Sequence, residues 1–185
     1  MTSRAEQTKT AILRAAIEEF ARYGIAGARV DRITRAAEVN NALLFRYFGN
    51  KAQLFDAAFE TLASASVDTV PFDAADLPGY AGRLFDQYET DPELVRLAAW
   101  YQLERSDDEL PAAVVASHAA KLRQLEDAQR AGLVSSRIPA EQLLSLVVHL
   151  SLSGSGQTPV LEPRPADRDA QRAAIVEAVR AVTAP

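Results

Sequence analysis

An all-α fold of about nine helices is predicted by three features of the chain. Apolar residues recur at intervals of three and four along most of its length, the period of a helix with one buried face. No stretch alternates apolar and polar residues as a half-buried strand does. All nine prolines lie beyond residue 70, and most stand at the edges of helical patterns rather than inside them.

The first helix is expected over about 5–23, where Ile12, Ala16 and Phe20 share a face and Gly24 supplies a stop. Val30, Ile33 and Ala37 form the stripe of a short second helix. Glu38, Val39 and Asn40 then make a turn, and Asn40 suits the cap of the helix that follows. In that third helix Leu44 and Phe48 lie one turn apart and face inward. At about 100° per residue, Ala42 and Arg46 point outward, flanked by Leu43 and Phe45. Gly49 ends the helix, Asn50 caps the next, and Leu54, Ala58 and Leu62 carry the spacing through a fourth.

Residues 68–77 are expected as loop, and Pro78 opens a fifth helix through Tyr80, Leu84 and Tyr88. Asp91, Pro92 and Glu93 start a sixth, with Leu94, Leu97, Ala98 and Tyr101 on one side. A seventh follows Pro111 with Val115, His118, Leu122 and Leu125, and ends near Gly132. Pro139 opens an eighth whose Leu143, Leu144, Val147, Val148 and Leu150 cover much of its circumference, which implies burial on more than one side. Small residues over 151–156 end it, residues 157–166 with three prolines are a loop, and a ninth helix spans about 167–182.

Composition narrows the function class. A chain of 185 residues with 48% hydrophobic and 24% charged residues buries a real core in one or two domains. With no cysteine there are neither disulfides nor thiolate metal sites, and a reducing cytoplasm is the expected setting. The polar start does not resemble a signal peptide, and no apolar run reaches the roughly 18–20 residues that cross a bilayer, so no membrane partner is expected. Metalloprotease, nucleophile-elbow and phosphate-loop patterns are absent, and two histidines leave little for catalysis or metal binding. Neither an enzyme nor a cofactor-binding protein is expected. The net charge of −5 is unevenly spread. Residues 1–51 hold nine basic against five acidic side chains, whereas the remainder holds 11 against 20. A basic head on an acidic body is compatible with phosphate binding, which depends on local charge.

Residues 29–51 read as a helix-turn-helix, in which the second helix enters the DNA major groove. Arg46 is the best base reader, because guanidinium pairs bidentately with guanine. Ala42, Leu43 and Phe45 suit thymine methyls, Asn41 suits adenine or a phosphate, and the capping Asn40 belongs to the same candidate DNA-binding set. Arg29 suits phosphate, and the free N–H groups starting the helix at Lys51 add an anion site. Arg29, Arg32 and Arg35 have a plainer alternative as solvated surface charges, and Phe45 and Tyr47 as core aromatics.

These residues carry a family resemblance. The helix with Phe20 before Gly24, the turn, and then Leu44-Phe45-Arg46-Tyr47-Phe48-Gly49-Asn50-Lys51 followed by Leu54-Phe55 closely resemble the tetracycline-repressor (TetR) family of bacterial transcription regulators. The match covers roughly residues 8–60. It implies a three-helix DNA-binding domain over 1–51, with Tyr47 and Lys51 as phosphate anchors. It also implies a ligand-binding and dimerisation domain over 52–185. Four positions depart from the family pattern: Ala28 or Arg29 stands where Ser or Thr caps the motif's first helix, with Asp31 as the expected substitute. Glu38 replaces a turn Gly, Phe45 a Tyr, and Asn41 a Lys or Arg.

The resemblance further implies a homodimer formed through the last two helices and a small-molecule effector. Val147, Leu150, Ala174, Ile175, Ala178, Val179 and Val182 are the candidate dimer residues, with the monomer core as the alternative use of the same stripes. Leu84, Tyr88, Leu97, Trp100, Tyr101, His118, Leu122 and His149 are the candidate pocket, an apolar set with a few polar tips. The functional expectation is an operator-binding repressor released by a small apolar or aromatic molecule. The alternative is a helical small-molecule or interaction module that does not read DNA, suggested by the weakly charged third helix and the missing cap.

Overall fold

Ser3 opens the first helix with a reciprocal cap: its hydroxyl accepts from the Glu6 N–H, and the Glu6 carboxylate accepts from the Ser3 N–H. The computed structural model describes residues 3–105, 110–154 and 167–185. Among these, the α-helices are α1 (Arg4–Gly27), α2 (Val30–Ala36), α3 (Asn41–Phe48), α4 (Lys51–Ser66), α5 (Leu77–Thr90), α6 (Pro92–Glu104), α7 (Ala112–Arg130), α8 (Ala140–Ser151) and α9 (Arg168–Thr183). A 3-10 turn at Ala74–Asp76 lies in the segment expected as loop. Asp76 then caps α5 by accepting from the Gly79 N–H, so Pro78 sits in the first turn as its missing N–H requires. The expected loop over 157–166 lies outside the described residues, and the expected end of α8 is described as far as Gly154.

The chain forms two compact units. One comprises Met1–Ser66 and Glu93–Pro111, the other Val67–Pro92 and Ala112–Pro185. The first therefore takes in residues 1–51 together with α4 and residues 93–111, which hold nearly all of α6. Its core is built on Ile12, Phe20, Ile33, Leu44, Leu54, Phe55 and Leu97, all fully buried. The Phe20 ring meets Phe55 edge-on at 5.2 Å, and Tyr101 of α6 stacks on Phe59 of α4 at 3.8 Å. Arg105 closes the same contact by pairing with Asp56 at 3.0 Å.

Gly24 does not stop α1, as its sequence position suggests, but kinks it. With φ 64° and ψ −175° it occupies backbone space essentially reserved for glycine, and the helix resumes for one turn to Gly27. A side chain there has no room, because a Cβ would lie 2.8 Å from the Trp100 ring.

In the second unit α5, α7, α8 and α9 enclose Leu77, Ala81, Leu84, Phe85, Leu125, Leu143, Leu144, Val147, Ile175 and Val179. The apolar circumference of α8 finds burial on more than one side, as its composition requires. Gly82 lets α9 come close to α5, since a Cβ at that position would meet the Arg172 guanidinium at 2.8 Å. Arg172 in turn pairs with Asp86 at 2.9 Å.

Candidate nucleic-acid interface

The motif's first helix lacks a cap of its own. Arg29 occupies the N-cap position of α2 without a side-chain bond to it, and Asp31 contributes only its charge in the first turn, its carboxylate accepting from Asn41 instead. Glu19, on α1, takes that role: one carboxylate oxygen accepts from the Arg29 N–H at 2.8 Å and from Arg32 Nε at 2.8 Å. Only 9% exposed, Glu19 loses hydration, which alone would raise its carboxyl. The Arg32 and Arg29 hydrogen bonds and the nearby Arg32 and Arg22 charges outweigh that loss and hold it below the ordinary glutamate value. Arg32 is therefore a structural cation, and its guanidinium also covers the Tyr23 ring at 4.4 Å.

The turn passes through Glu38 at φ 55°, left-handed backbone where a glycine would be unstrained. Val39 N–H reaches back to the Thr34 carbonyl at 2.9 Å, and the Asn40 side chain caps α3 by accepting from Leu43 N–H at 2.8 Å. Within α3, Leu44 is completely buried while Ala42, Phe45 and Arg46 are exposed, Phe45 by 41%. Leu43, Tyr47 and Phe48 are half-buried. Ala42, Phe45 and Arg46 thus face outward as angular position predicts, whereas Leu43, expected to flank them, and Phe48, expected to face inward, are both half-buried.

Around this flank several polar side chains are already engaged. Asn41 is exposed, yet its Oδ1 accepts from the Thr34 hydroxyl at 2.9 Å and its Nδ2 donates to Asp31 at 3.1 Å. Lys51 donates to the Ala28 carbonyl at 3.2 Å, and Lys9 lies over the Tyr47 ring at 5.4 Å. At the start of α4, Asn50 and Gln53 cap each other reciprocally, so the Gln53 N–H is not open to an anion. Arg29, Arg35 and Arg46 are exposed. Glu19, Thr34 and Asp31 are the functional neighbours that sequence reasoning missed or misplaced. Their partners stand seven to thirteen residues away and leave no periodic signal.

The candidate pocket residues divide between the units. Leu97, Trp100 and Tyr101 belong to the first, with Trp100 against Gly24 and Tyr101 against Phe59. Leu84, Tyr88 and Leu122 join the core of the second. Burial pushes the Tyr88 phenol up to about 12 and raises the neighbouring Tyr80 as well. His118 and His149, expected among apolar residues, are exposed instead, because each falls on the outer side of its helix.

The candidate dimer residues need a similar correction. Val147, Ile175 and Val179 are buried in their own unit's core, so the stripes they define face inward. Leu150, Ala178 and Val182 are half-buried, and Ala174 is exposed. Leu146 and His149 hold the outer side of α8.

Comparison with known proteins matches both ends of the chain. Residues 12–58 fit the family model described as bacterial regulatory proteins, tetR family, and residues 76–181 fit the tetracyclin repressor-like C-terminal domain. The HTH-type transcriptional repressor SCO4008 of Streptomyces coelicolor is 40% identical over 148 residues, 79% of this chain and 77% of that protein. The HTH-type transcriptional repressor NicS of Pseudomonas putida is 30% identical over 109 residues, 55% of this chain and 51% of that protein. The crystal structure of SCO4942 from Streptomyces coelicolor, described as a transcriptional regulator, superposes with a TM-score of 0.83 and 37% identity, over 95% of this chain and 98% of that one.

Proposed function

Because this chain belongs to the TetR family of DNA-binding, non-enzymatic transcription regulators, we propose that it is a homodimeric repressor of a near-palindromic operator, released by a small molecule. Support comes above all from α3, which turns an apolar and cationic flank outward while Leu44 anchors its other side. In a major groove, Arg46 pairs with guanine O6 and N7, and Ala42 and Phe45 meet thymine methyls. Arg29, Tyr47 and Lys51 border the flank and serve phosphates. Two such helices in a two-fold dimer engage half-sites about 34–36 Å apart.

The uncovered outer side of α8, with Leu146 and His149, and the exposed Ala174 of α9 support the dimer surface. The effector is proposed from the family, and Leu84, Tyr88 and Leu122 of the second unit's packed core are the apolar residues, with a phenol tip, assigned to receive it. Transmission to the head runs through the chain itself. Where α4 ends, the Val67 carbonyl accepts from Lys121 of α7 at 2.9 Å, so a shift of α7 pulls on α4. The effector must favour the DNA-free form by about 1–3 kcal/mol of coupling.

The test is an operator gel shift with Arg46→Ala. Loss of one base contact weakens binding by about ten- to a hundred-fold and relaxes one base preference, with folding unchanged. Affinity of the unmodified protein falls steeply as salt rises. Unchanged affinity and preference in the variant, or a flat salt response, refutes the assignment.

A further inference from the structure

We propose that Asn41, held by Thr34 and Asp31, is a positioning residue that sets the angle of α3 and reads no base, so that operator specificity falls to Ala42, Phe45 and Arg46. The inference rests on the DNA-binding reading above and reassigns one candidate base reader expected from the sequence.

The geometry is unambiguous about donors and acceptors. A carboxylate only accepts, so the Asp31 oxygen 3.1 Å away must face the Nδ2 of Asn41. This leaves the Asn41 Oδ1 toward Thr34, whose single hydroxyl proton is nearer to it, at 2.9 Å, than to the Val30 carbonyl at 3.1 Å or the Asp31 carbonyl at 3.5 Å. Reading adenine takes both ends of an asparagine amide in one plane toward the base edge. Here both ends already point back at α2.

There is a physical need for such a pin. With one fully buried side chain, α3 has little apolar anchorage, and an eight-residue helix is marginal without tertiary contacts. Asn40 satisfies its first turn, but a cap bonds the helix to its own start and leaves its tilt open. The Asn41 amide instead ties α3 to two residues of α2, one of them, Thr34, only 5% exposed. Asp31 also stays in the first turn of α2, where its charge complements the helix dipole. The resulting half-site is one in which a guanine facing Arg46 is bordered by thymines, with no adenine demanded opposite Asn41.

The test uses the full chain in selection from random duplexes, followed by affinity measurement on the selected operator. Asn41→Ala and Thr34→Val, with folding verified by circular dichroism, each weaken binding about ten-fold. Both select the same bases as the unmodified protein. Thr34 is too buried to touch DNA, so the two losses share one origin, and the double variant binds no worse than the weaker single variant. Thr34→Ser, which keeps the hydroxyl, restores most of the affinity. A changed or relaxed base preference in Asn41→Ala overturns the positioning role and makes Asn41 a reader. Losses that multiply in the double variant, or no loss at all, overturn it too. If the unmodified protein enriches no sequence, the DNA-binding reading itself falls and takes this inference with it.

Discussion

In the second unit Val147 of α8 and Val179 of α9 turn inward and are wholly buried. In the first, α3 leaves Phe45 41% exposed and buries only Leu44 completely. The same helical spacing of apolar residues therefore marks core in one place and a working surface in the other. What separates them is the means of attachment. The second unit is held mainly by apolar packing around α5, α7, α8 and α9, whereas the DNA-facing motif is fastened by polar pins: Glu19 to α2, Asn40 at the start of α3, Asn41 across to Thr34 and Asp31. Hydrogen bonds are directional, so they orient a short helix without covering its outward flank.

The most severe test of the first unit is Gly24→Ala. The new Cβ meets the Trp100 ring at 2.8 Å on backbone that only glycine tolerates, and stability falls by about 3 kcal/mol or more, read as a lower urea midpoint. Next comes Val147→Ala, which separates core from dimer surface. Loss of two buried methyl groups lowers stability by about 2–3 kcal/mol. Sedimentation at a fixed concentration reports an unchanged association state; dissociation of the variant would return Val147 to the interface.

Glu19→Gln probes the polar fastening, with a loss of about 1–2 kcal/mol at neutral pH. Its folded carboxyl titrates below the ordinary value of 4.5, so this stabilisation is fully present above that value. It disappears as pH falls through the lowered folded value. Thermal unfolding of the two proteins should therefore converge in acid, and a gap that widened there would contradict the assignment. The smallest effect is a gain. Glu38→Gly relieves the left-handed strain in the turn and raises stability by about 1 kcal/mol, measured by the same melts.

Local features account for what was legible in the chain. Helix α4 begins and ends where its spacing and caps place it, and the outward set of Ala42, Phe45 and Arg46 follows from 100° per residue about a buried Leu44. The left-handed backbone at Glu38 matches the turn glycine that the family resemblance places there. Where the chain's own patterns misled, the cause was a distant partner. Gly24 looked like a helix end, but Trp100 packs into the kink and the helix continues. Asp31 looked like the substitute cap for α2, but Glu19 reaches it from α1. His118 and His149 looked buried, but fall on outer faces.

The amino-acid sequence by itself determined an all-helical chain, the order of its elements and the flank of α3 that meets solvent, because caps and periodicity act over a few neighbouring residues. Tertiary structure alone decided that most of α6 belongs with the DNA-binding unit, that Val147, Ile175 and Val179 line their own core, and that the Asn41 amide faces α2. Those outcomes depend on which side chains meet across long separations, and contact between remote residues has no period to read.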